Sequence, residues 1–150
     1  MPRIPVSPKD LPTQADRFKE MNEAIHYRGI IEMLGPVTQD KNNHDYFAVR
    51  VRVTEPEEFV NRVVYDNYVP LPYPVTDRMD AKQRLQAEQS GDRLGDLARS
   101  AAIEADPDGS WDTDALLERE ILFTIKNEEY QGQTRPRLHQ YLLPKDEVPF

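Results

Sequence analysis

The chain has 150 residues, which is enough for one domain with a hydrophobic core and short for two. Hydrophobic residues make up 38% of it and charged residues 31%, so the composition predicts a folded, polar domain rather than a disordered chain. No apolar run approaches the length of a membrane span, no secretion signal is visible, and cysteine is absent, which excludes disulfides and thiolate metal sites. We therefore expect a cytoplasmic protein without membrane association.

The net charge of −8 is unevenly distributed. Residues 78–118 contain five lysines and arginines against ten aspartates and glutamates, so much of the acid excess lies in the middle of the chain. A negative total argues against a general polyanion-binding protein, but it permits a local basic groove.

The N-terminal part, residues 1–24, is predicted to be an arm followed by a short helix. Prolines at positions 2, 5, 8 and 12 fix φ and remove backbone donors, which favours an extended conformation. Thr13 is placed to cap a helix over residues 14–23.

Two strands open the predicted domain. Residues 25–34 predict the first, in which Gly29 allows a bulge or sharp coiling. Residues 35–45 have the composition of a loop, and residues 46–53 predict the second strand, with strict alternation of side chains. Phe47, Val49, Val51 and Val53 share one face, and Tyr46, Ala48, Arg50 and Arg52 share the other.

Residues 59–69 predict a third strand whose orientation is ambiguous, and a helical segment follows it. Asp77 is the expected cap of that segment, Gly91 and Gly95 are expected to interrupt it, and Asp112 is expected to cap a later helical turn. Its apolar stripe consists of Leu94, Leu97, Ala98, Ala101 and Ala102.

Two strands close the domain. Residues 121–126 predict the fourth strand, residues 128–134 a hairpin connection, and residues 135–142 the fifth strand. One face of the fifth strand carries Arg135, Arg137, His139 and Tyr141.

This element order predicts a mainly β fold over residues 25–143. Five short strands leave unpaired edges in an open sheet, so closure into a five-stranded barrel is favoured. A helical segment between strands 3 and 4 is the arrangement of the OB-fold, and by this analogy of topology we expect an OB-like barrel.

Arginines and aromatic residues on strands 2 and 5 suit single-stranded nucleic acid. Arginine attracts phosphate, and arginine and aromatic planes stack on exposed bases. Solvation of an outer strand face is the competing explanation for any single arginine. The candidate nucleic-acid-binding residues are Tyr46, Arg50, Arg52, Arg62, Tyr65, Lys126, Tyr130, Arg135, Arg137, His139 and Tyr141.

Motifs for catalysis are absent from the sequence. His26, His44 and His139 have no spacing that suggests a metal site, and no P-loop, dinucleotide fingerprint or nucleophile elbow is present. We expect neither an enzyme nor a cofactor or metal.

The last residues are acids, an aliphatic residue, proline and phenylalanine: Asp146, Glu147, Val148, Pro149 and Phe150. This ending resembles the C-terminal tip of bacterial single-stranded-DNA-binding proteins, which docks replication and repair enzymes. The resemblance implies that residues 144–150 bind such partners. The family carries its tip on a long linker, whereas here Pro144 follows directly on the last predicted strand.

A second resemblance covers most of residues 25–143. The strand order, the helical insert, the Leu116-Leu117 turn and the Glu129-Tyr130-x-Gly132 hairpin resemble OB-type proteins that phages encode beside their recombination and replication genes. Together the resemblances imply a single-stranded-DNA-binding protein of a bacterium or a phage-infected host cell.

Two other functions stay open at this point. An interaction protein of a phage or replisome assembly would bind no oligonucleotide, and an acidic DNA mimic would bind DNA-binding enzymes instead of DNA. The oligomeric state is open as well, and a homo-oligomer is compatible with the sequence.

Overall fold

In the computed structural model the described residues are 20–143, together with residues 3, 5, 7 and 9. The predicted acidic tip, residues 144–150, lies outside them. Most of the predicted N-terminal arm and helix, residues 1–24, also lies outside them, and the described residues 20–23 are not helical.

The described chain forms a closed five-stranded β-barrel with a short sixth strand at its edge, which confirms the mainly β barrel. The strands are β1 (Tyr27–Leu34), β2 (Thr38–Gln39), β3 (Asp45–Glu55), β4 (Val63–Pro70), β5 (Glu120–Tyr130) and β6 (Gln133–Leu142). The sheet order is β1-β5-β6-β4-β3-β2, and pairing of β1 with β3 closes the barrel. Every strand pair is antiparallel except β4 with β6.

The predicted position of the helical segment, between strands 3 and 4, is wrong. The helices α1 (Ala81–Glu88) and α2 (Asp92–Ser100) lie between β4 and β5, because the two-residue strand β2 adds one strand within the predicted loop. No helix among the described residues is long and apolar enough to cross a membrane.

The start of α1 differs from the predicted one. Asp80, not Asp77, caps it: its carboxylate accepts a hydrogen bond from the Gln83 amide, and the Gln83 side chain accepts one from the Asp80 amide. Gly91 precedes α2 and separates the two helices, whereas Gly95 lies inside α2. Asp112 caps a short 3₁₀ helix, Thr113–Leu116, as predicted.

The alternation of β3 supplies one wall of the core. Phe47, Val49, Val51 and Val53 are each at most 2% exposed, and the intervening side chains point outward, as predicted. Helix α2 packs against β4, β5 and β6 and buries Leu97 completely. Truncation of such a leucine costs about 2–5 kcal/mol, so this contact holds the helix firmly on the barrel.

A β-bulge in β6 reverses the predicted orientation of Tyr141. Thr124 of β5 faces Gln140, and the next residue, Ile125, faces Leu138, which leaves His139 as an extra residue. One extra residue moves all later side chains to the opposite face. Leu138 and Tyr141 are therefore both buried, although their spacing of three breaks strict alternation.

The boundaries of the later strands also differ from the predicted ones. β4 begins at Val63, because Phe59 belongs to a 3₁₀ helix, Glu57–Phe59, that buries its ring. The predicted hairpin connection is mostly strand: only Gln131 and Gly132 lie between β5 and β6, with φ of 52° and 78°. Two successive residues with positive φ form the tight turn that suits twisted strands.

Gly29 allows β1 and β3 to approach closely at a bulge. A Cβ at this position would lie 2.7 Å from Val51 Cγ1 and 2.8 Å from the Arg52 carbonyl oxygen. No side chain fits there without backbone movement.

We predict that Gly29→Ala lowers the free energy of unfolding by about 2 kcal/mol or more, measured by urea denaturation, because the methyl group overpacks the core. Gly35→Ala is the matched control, since its Cβ would lie 3.4 Å from Ala48 Cβ, at the near edge of ordinary contact. It should change stability by less than about 1 kcal/mol. Equal effects of the two variants would contradict the tight approach at Gly29.

Tyr27 carries a buried hydroxyl at the base of the core. Its ring packs against Phe59 and Phe123, and its hydroxyl donates a hydrogen bond to the Asn22 carbonyl at 2.8 Å. Burial raises the pKa of Tyr27 to about 12.

We predict that stability falls between pH 10 and 12. A tyrosine of the unfolded chain ionises near pH 10, whereas Tyr27 stays neutral in the folded protein up to about pH 12. Its contribution is therefore complete below pH 10 and is lost as the pH rises through 12. Urea denaturation of Tyr27→Phe should show a weaker decline over this range than the wild type, and parallel declines would contradict the assignment.

Candidate nucleic-acid interface

Strand register lines up five outward side chains in one row around the barrel. Arg50 of β3 faces Met33 of β1 on one side and Tyr65 of β4 on the other, and Tyr65 faces Arg137 of β6, which faces Lys126 of β5. None of the five is buried. We call Met33, Arg50, Tyr65, Arg137 and Lys126 the outer row.

The outer row places cations on both sides of an exposed ring. Tyr65 is 44% exposed, and the guanidinium carbon of Arg50 lies 6.0 Å from its ring centroid, at the limit of a cation–π contact. A planar ligand can reach this ring from solvent.

A groove lies between β4 and β6, where the outer row passes from Tyr65 to Arg137, and we call it the strand groove. Its lining residues are Tyr65, Asp66, Asn67, Tyr68, Arg93, Lys126, Glu128, Arg137, Leu138 and His139. They include three permanent cations and two carboxylates, so the groove carries a local positive excess in an acidic protein. The potential next to the groove depends on these near charges more than on distant ones, because salt screens the latter.

The cations of the strand groove are accessible. Lys126 is exposed and forms no ion pair with any residue in the described part of the chain. Arg137 pairs with Glu128 at 2.8 Å, and both side chains are more than a third exposed. Such surface pairs contribute at most about 1 kcal/mol, so a phosphate can replace Glu128 at little cost.

A second depression, the loop pocket, continues the groove toward β2. Its lining residues are Gln39, Asp40, Lys41, Asn42, Tyr46, Asn67 and Tyr68. Asn67 and Tyr68 line both depressions, so together they form one surface, which we call the candidate face.

Hydrogen bonds to Asp40 hold the loop pocket in shape. Tyr68 donates its hydroxyl to Asp40 Oδ2 at 2.7 Å, while Asp40 Oδ1 accepts from the amides of Asn42 and His44. The hydrogen bond to Asp40 raises the pKa of Tyr68 to about 12. The Tyr68 ring is 44% exposed and its centroid lies 4.9 Å from that of Tyr46, so two tyrosines form an aromatic platform.

The floor of the strand groove contains a buried carboxylate, Asp66. It accepts hydrogen bonds from the Tyr141 hydroxyl at 2.7 Å and from Arg93 Nε at 2.6 Å, both at Oδ2. Burial, followed by the Asp66 charge, raises the pKa of Tyr141 well above its usual value, so this phenol remains neutral. The role predicted for Tyr141, stacking on a base, conflicts with the burial of its ring.

Several predicted residues lie away from the candidate face or outside the described part. Arg52 pairs with Glu32 at 2.7 Å, as Arg50 also does, and donates to the Asn61 carbonyl. Arg62 precedes β4 and Arg135 faces Glu128 across the hairpin; neither lines the groove or the loop pocket. The side chain of Tyr130 lies outside the described part.

The structure brings together six of the predicted residues: Tyr46, Arg50, Tyr65, Lys126, Arg137 and His139. Sequence reasoning missed Arg93, Asp66 and the loop residues Asp40 and Lys41. Arg93 is separated from Asp66 by 27 residues and occurs in a helix with an ordinary amphipathic pattern, so nothing in the sequence marks it. In the described part, no group of three or more histidine, aspartate and glutamate side chains can hold a metal ion.

We predict that Tyr141→Phe lowers the free energy of unfolding by about 2 kcal/mol, because the buried Asp66 carboxylate loses a hydroxyl donor. Tyr65→Phe is the control: the Tyr65 hydroxyl forms no hydrogen bond within the described residues, so its loss should cost less than about 0.5 kcal/mol. Denaturation midpoints measure both. A cost for Tyr141→Phe as small as that of the control would show that the bond to Asp66 adds no stability.

Comparison with known proteins gives no family for this chain. No family model matches it, and no curated protein matches it.

Proposed function

We propose that this protein is an OB-like barrel that binds single-stranded DNA on the candidate face, without strong sequence preference. The observation that carries the proposal is the outer row, in which the exposed ring of Tyr65 stands between Arg50 and Arg137, with Lys126 beyond Arg137. An exposed ring flanked by cations matches a base flanked by phosphates along a single strand.

The proposal gives each side chain a role. Bases stack on Tyr65 and on the platform of Tyr46 and Tyr68, where each stacked base contributes about 1–3 kcal/mol. Phosphates lie against Lys126 and Arg137. These contacts use the base plane and the backbone, which all nucleotides share, and so they favour no sequence.

His139 and Arg50 support the same surface. His139 is exposed at the bulge of β6 and lines the strand groove, where it can donate to a phosphate. The Arg50 guanidinium lies over one face of the Tyr65 ring and also forms an ion pair with Glu32. Arg52, Arg62, Arg135 and Tyr141 have no role in the proposed contacts.

The location of the face supports the proposal as well. OB-folds bind oligonucleotides on their second and third strands and on the loops that join strands 1 to 2 and 4 to 5. The corresponding parts here are β3, β4, the loop over residues 35–44 and the turn at residues 131–132. The loop pocket is lined by residues of this loop, β3 and β4, and the strand groove adjoins it through Asn67 and Tyr68 of β4.

The C-terminal tip completes the proposed function. By its resemblance to the tip of bacterial single-stranded-DNA-binding proteins, the segment from Asp146 to Phe150 recruits replication or recombination enzymes in a bacterium or a phage-infected host cell. The ring of Phe150 would fill a pocket of the partner while Asp146 and Glu147 meet its basic rim. The proposal includes no catalysed reaction.

The net charge of −8 favours a second candidate, an acidic DNA mimic or assembly protein that binds a basic partner. This function does not explain an exposed tyrosine between two cations. It also predicts no binding of an oligonucleotide at physiological salt. The two candidates therefore differ in a direct binding measurement.

We predict that Lys126→Gln combined with Arg137→Gln weakens binding to a fluorescent single-stranded oligonucleotide at least tenfold at physiological salt. Loss of two phosphate contacts should also reduce the slope of log K against log salt concentration by about 1.4. The matched control is Lys82→Gln combined with Arg99→Gln, which removes the same charge from the helices outside the groove. It should change affinity less than twofold.

Two further arms of the same titration decide between the candidates. Tyr65→Ala should weaken binding about tenfold and leave the salt slope unchanged, because it removes stacking and no charge. A duplex of the same length should bind more weakly than the single strand. Absence of single-strand affinity in the wild type, or equal losses in the groove and control variants, would overturn the proposal.

A further inference from the structure

The barrel has a weak point between β4 and β6, directly beneath the candidate face. β4 and β6 run parallel and share a single register pair, Tyr65 with Arg137, whereas β5 and β6 share nine pairs. A single pair supplies little backbone hydrogen bonding, so other contacts must keep these strands together. We call this junction the β4–β6 seam.

Arg93 of α2 bridges the β4–β6 seam with its guanidinium. On the β4 side, Nε donates to Asp66 Oδ2 at 2.6 Å. On the β6 side, Nη1 donates to the His139 carbonyl at 2.9 Å and Nη2 to the Leu138 carbonyl at 3.1 Å. The rigid, planar guanidinium thus contacts both strands at once through three separate nitrogens, whereas a lysine would have to reach all three acceptors from one nitrogen.

The bulge of β6 makes these acceptors available. His139 is the extra residue there, so its carbonyl and that of Leu138 are directed to Arg93. Tyr141 adds a parallel tie, because its hydroxyl crosses from β6 to Asp66 of β4 and its ring lies 5.0 Å from the Arg93 guanidinium carbon. Side-chain hydrogen bonds therefore join β4 to β6, whereas backbone hydrogen bonds of a strand ladder join the other strand pairs of the barrel.

This network is adjacent to the proposed binding residues. Asp66 directly follows Tyr65, and Leu138 directly follows Arg137. Neighbouring strand residues point to opposite faces. Arg93 therefore joins the two strands on the inner face of the seam, while Tyr65 and Arg137 lie on its outer face. The separation of Tyr65 and Arg137 then depends on a residue of α2.

We propose that Arg93 is a positioning residue of the single-stranded-DNA site: it clamps the β4–β6 seam and so holds Tyr65 and Arg137 at the spacing that binding requires. This inference rests on the proposed function. Arg93 lines the strand groove, but its Nε, Nη1 and Nη2 each already bond to the protein, and it acts through the two strands.

Hydrogen exchange followed by NMR tests the clamp without DNA. In Arg93→Gln, the amides of residues 64–67 and 137–139 should exchange at least tenfold faster, while those of the β1–β3 ladder stay unchanged. Arg99→Gln is the matched control, since Arg99 is in the same helix, has the same charge and pairs only with the exposed Asp96. Uniformly faster exchange, or no change at the seam, would overturn the proposal.

Affinity for a labelled single-stranded oligonucleotide tests the positioning role. Arg93→Gln should weaken binding about tenfold, and Arg99→Gln less than twofold. In a protein that already carries Tyr65→Ala and Arg137→Gln, Arg93→Gln should have no further effect, because the residues that it positions are gone. A tenfold loss that persists in this background would mean direct contact of Arg93 with DNA and would overturn the positioning role.

The two measurements separate this inference from the proposed function. If the wild type binds no single strand, both the proposed function and the positioning role fall, whatever the exchange result. If the wild type binds and Arg93→Gln binds equally well, only the positioning role falls. Should Arg93→Gln fail to fold, Arg93→Lys takes its place, and it should show the same seam-specific exchange and a smaller loss of affinity.

Discussion

The structure depends on the junction between β4 and β6, two neighbouring strands of the barrel that share one register pair. Everywhere else, ladders of several pairs join neighbouring long strands, and the hydrophobic core follows from their alternation. At the seam the strands are joined through Asp66, Arg93 and Tyr141 instead. Removal of Arg93 leaves the buried Asp66 carboxylate without its cationic partner. For fully buried pairs this typically costs about 3–5 kcal/mol, and water at the 30% exposed Arg93 side chain reduces that cost.

The seam also explains where the candidate face lies. Strands that are not laddered together leave a groove between them, and polar groups can line that groove because water reaches it. The bulge at His139 adds to this irregularity and makes backbone carbonyls available, and these accept hydrogen bonds from Arg93. The sparse pairing of β4 with β6 thus leaves a concave polar surface, and the contacts of Arg93, Asp66 and Tyr141 support it from the inner side.

The charge distribution makes an acidic protein compatible with the proposed binding of an anion on the candidate face. The acid excess of residues 78–118 belongs to the helices and their following loop, whereas Lys126 and Arg137 belong to the hairpin of β5 and β6. At physiological salt the screening length is about 8 Å, so charges on the far side of the barrel contribute little in the groove. Stacking on tyrosines is insensitive to net charge and adds affinity independent of it.

Local patterns determined much of the fold. The alternation from Tyr46 to Val53 identified a strand with a core face, and similar runs located the later strands, so a mainly β barrel was predictable. Local patterns failed at two places: the two-residue strand β2 changed the strand count, and the bulge at His139 turned Tyr141 inward. Periodicity cannot reveal an inserted residue, because a bulge is a property of two paired strands.

By itself the sequence determined the outward direction of Arg50, Arg137 and Lys126, since side-chain direction within a regular strand depends only on neighbouring residues. Only the tertiary structure decided which of them meet. Register placed Tyr65 between Arg50 and Arg137 and separated Arg52 from the groove, where it pairs with Glu32. The Arg93 clamp was beyond any local pattern, because it joins groups 27 to 46 residues apart that only the closed barrel brings together.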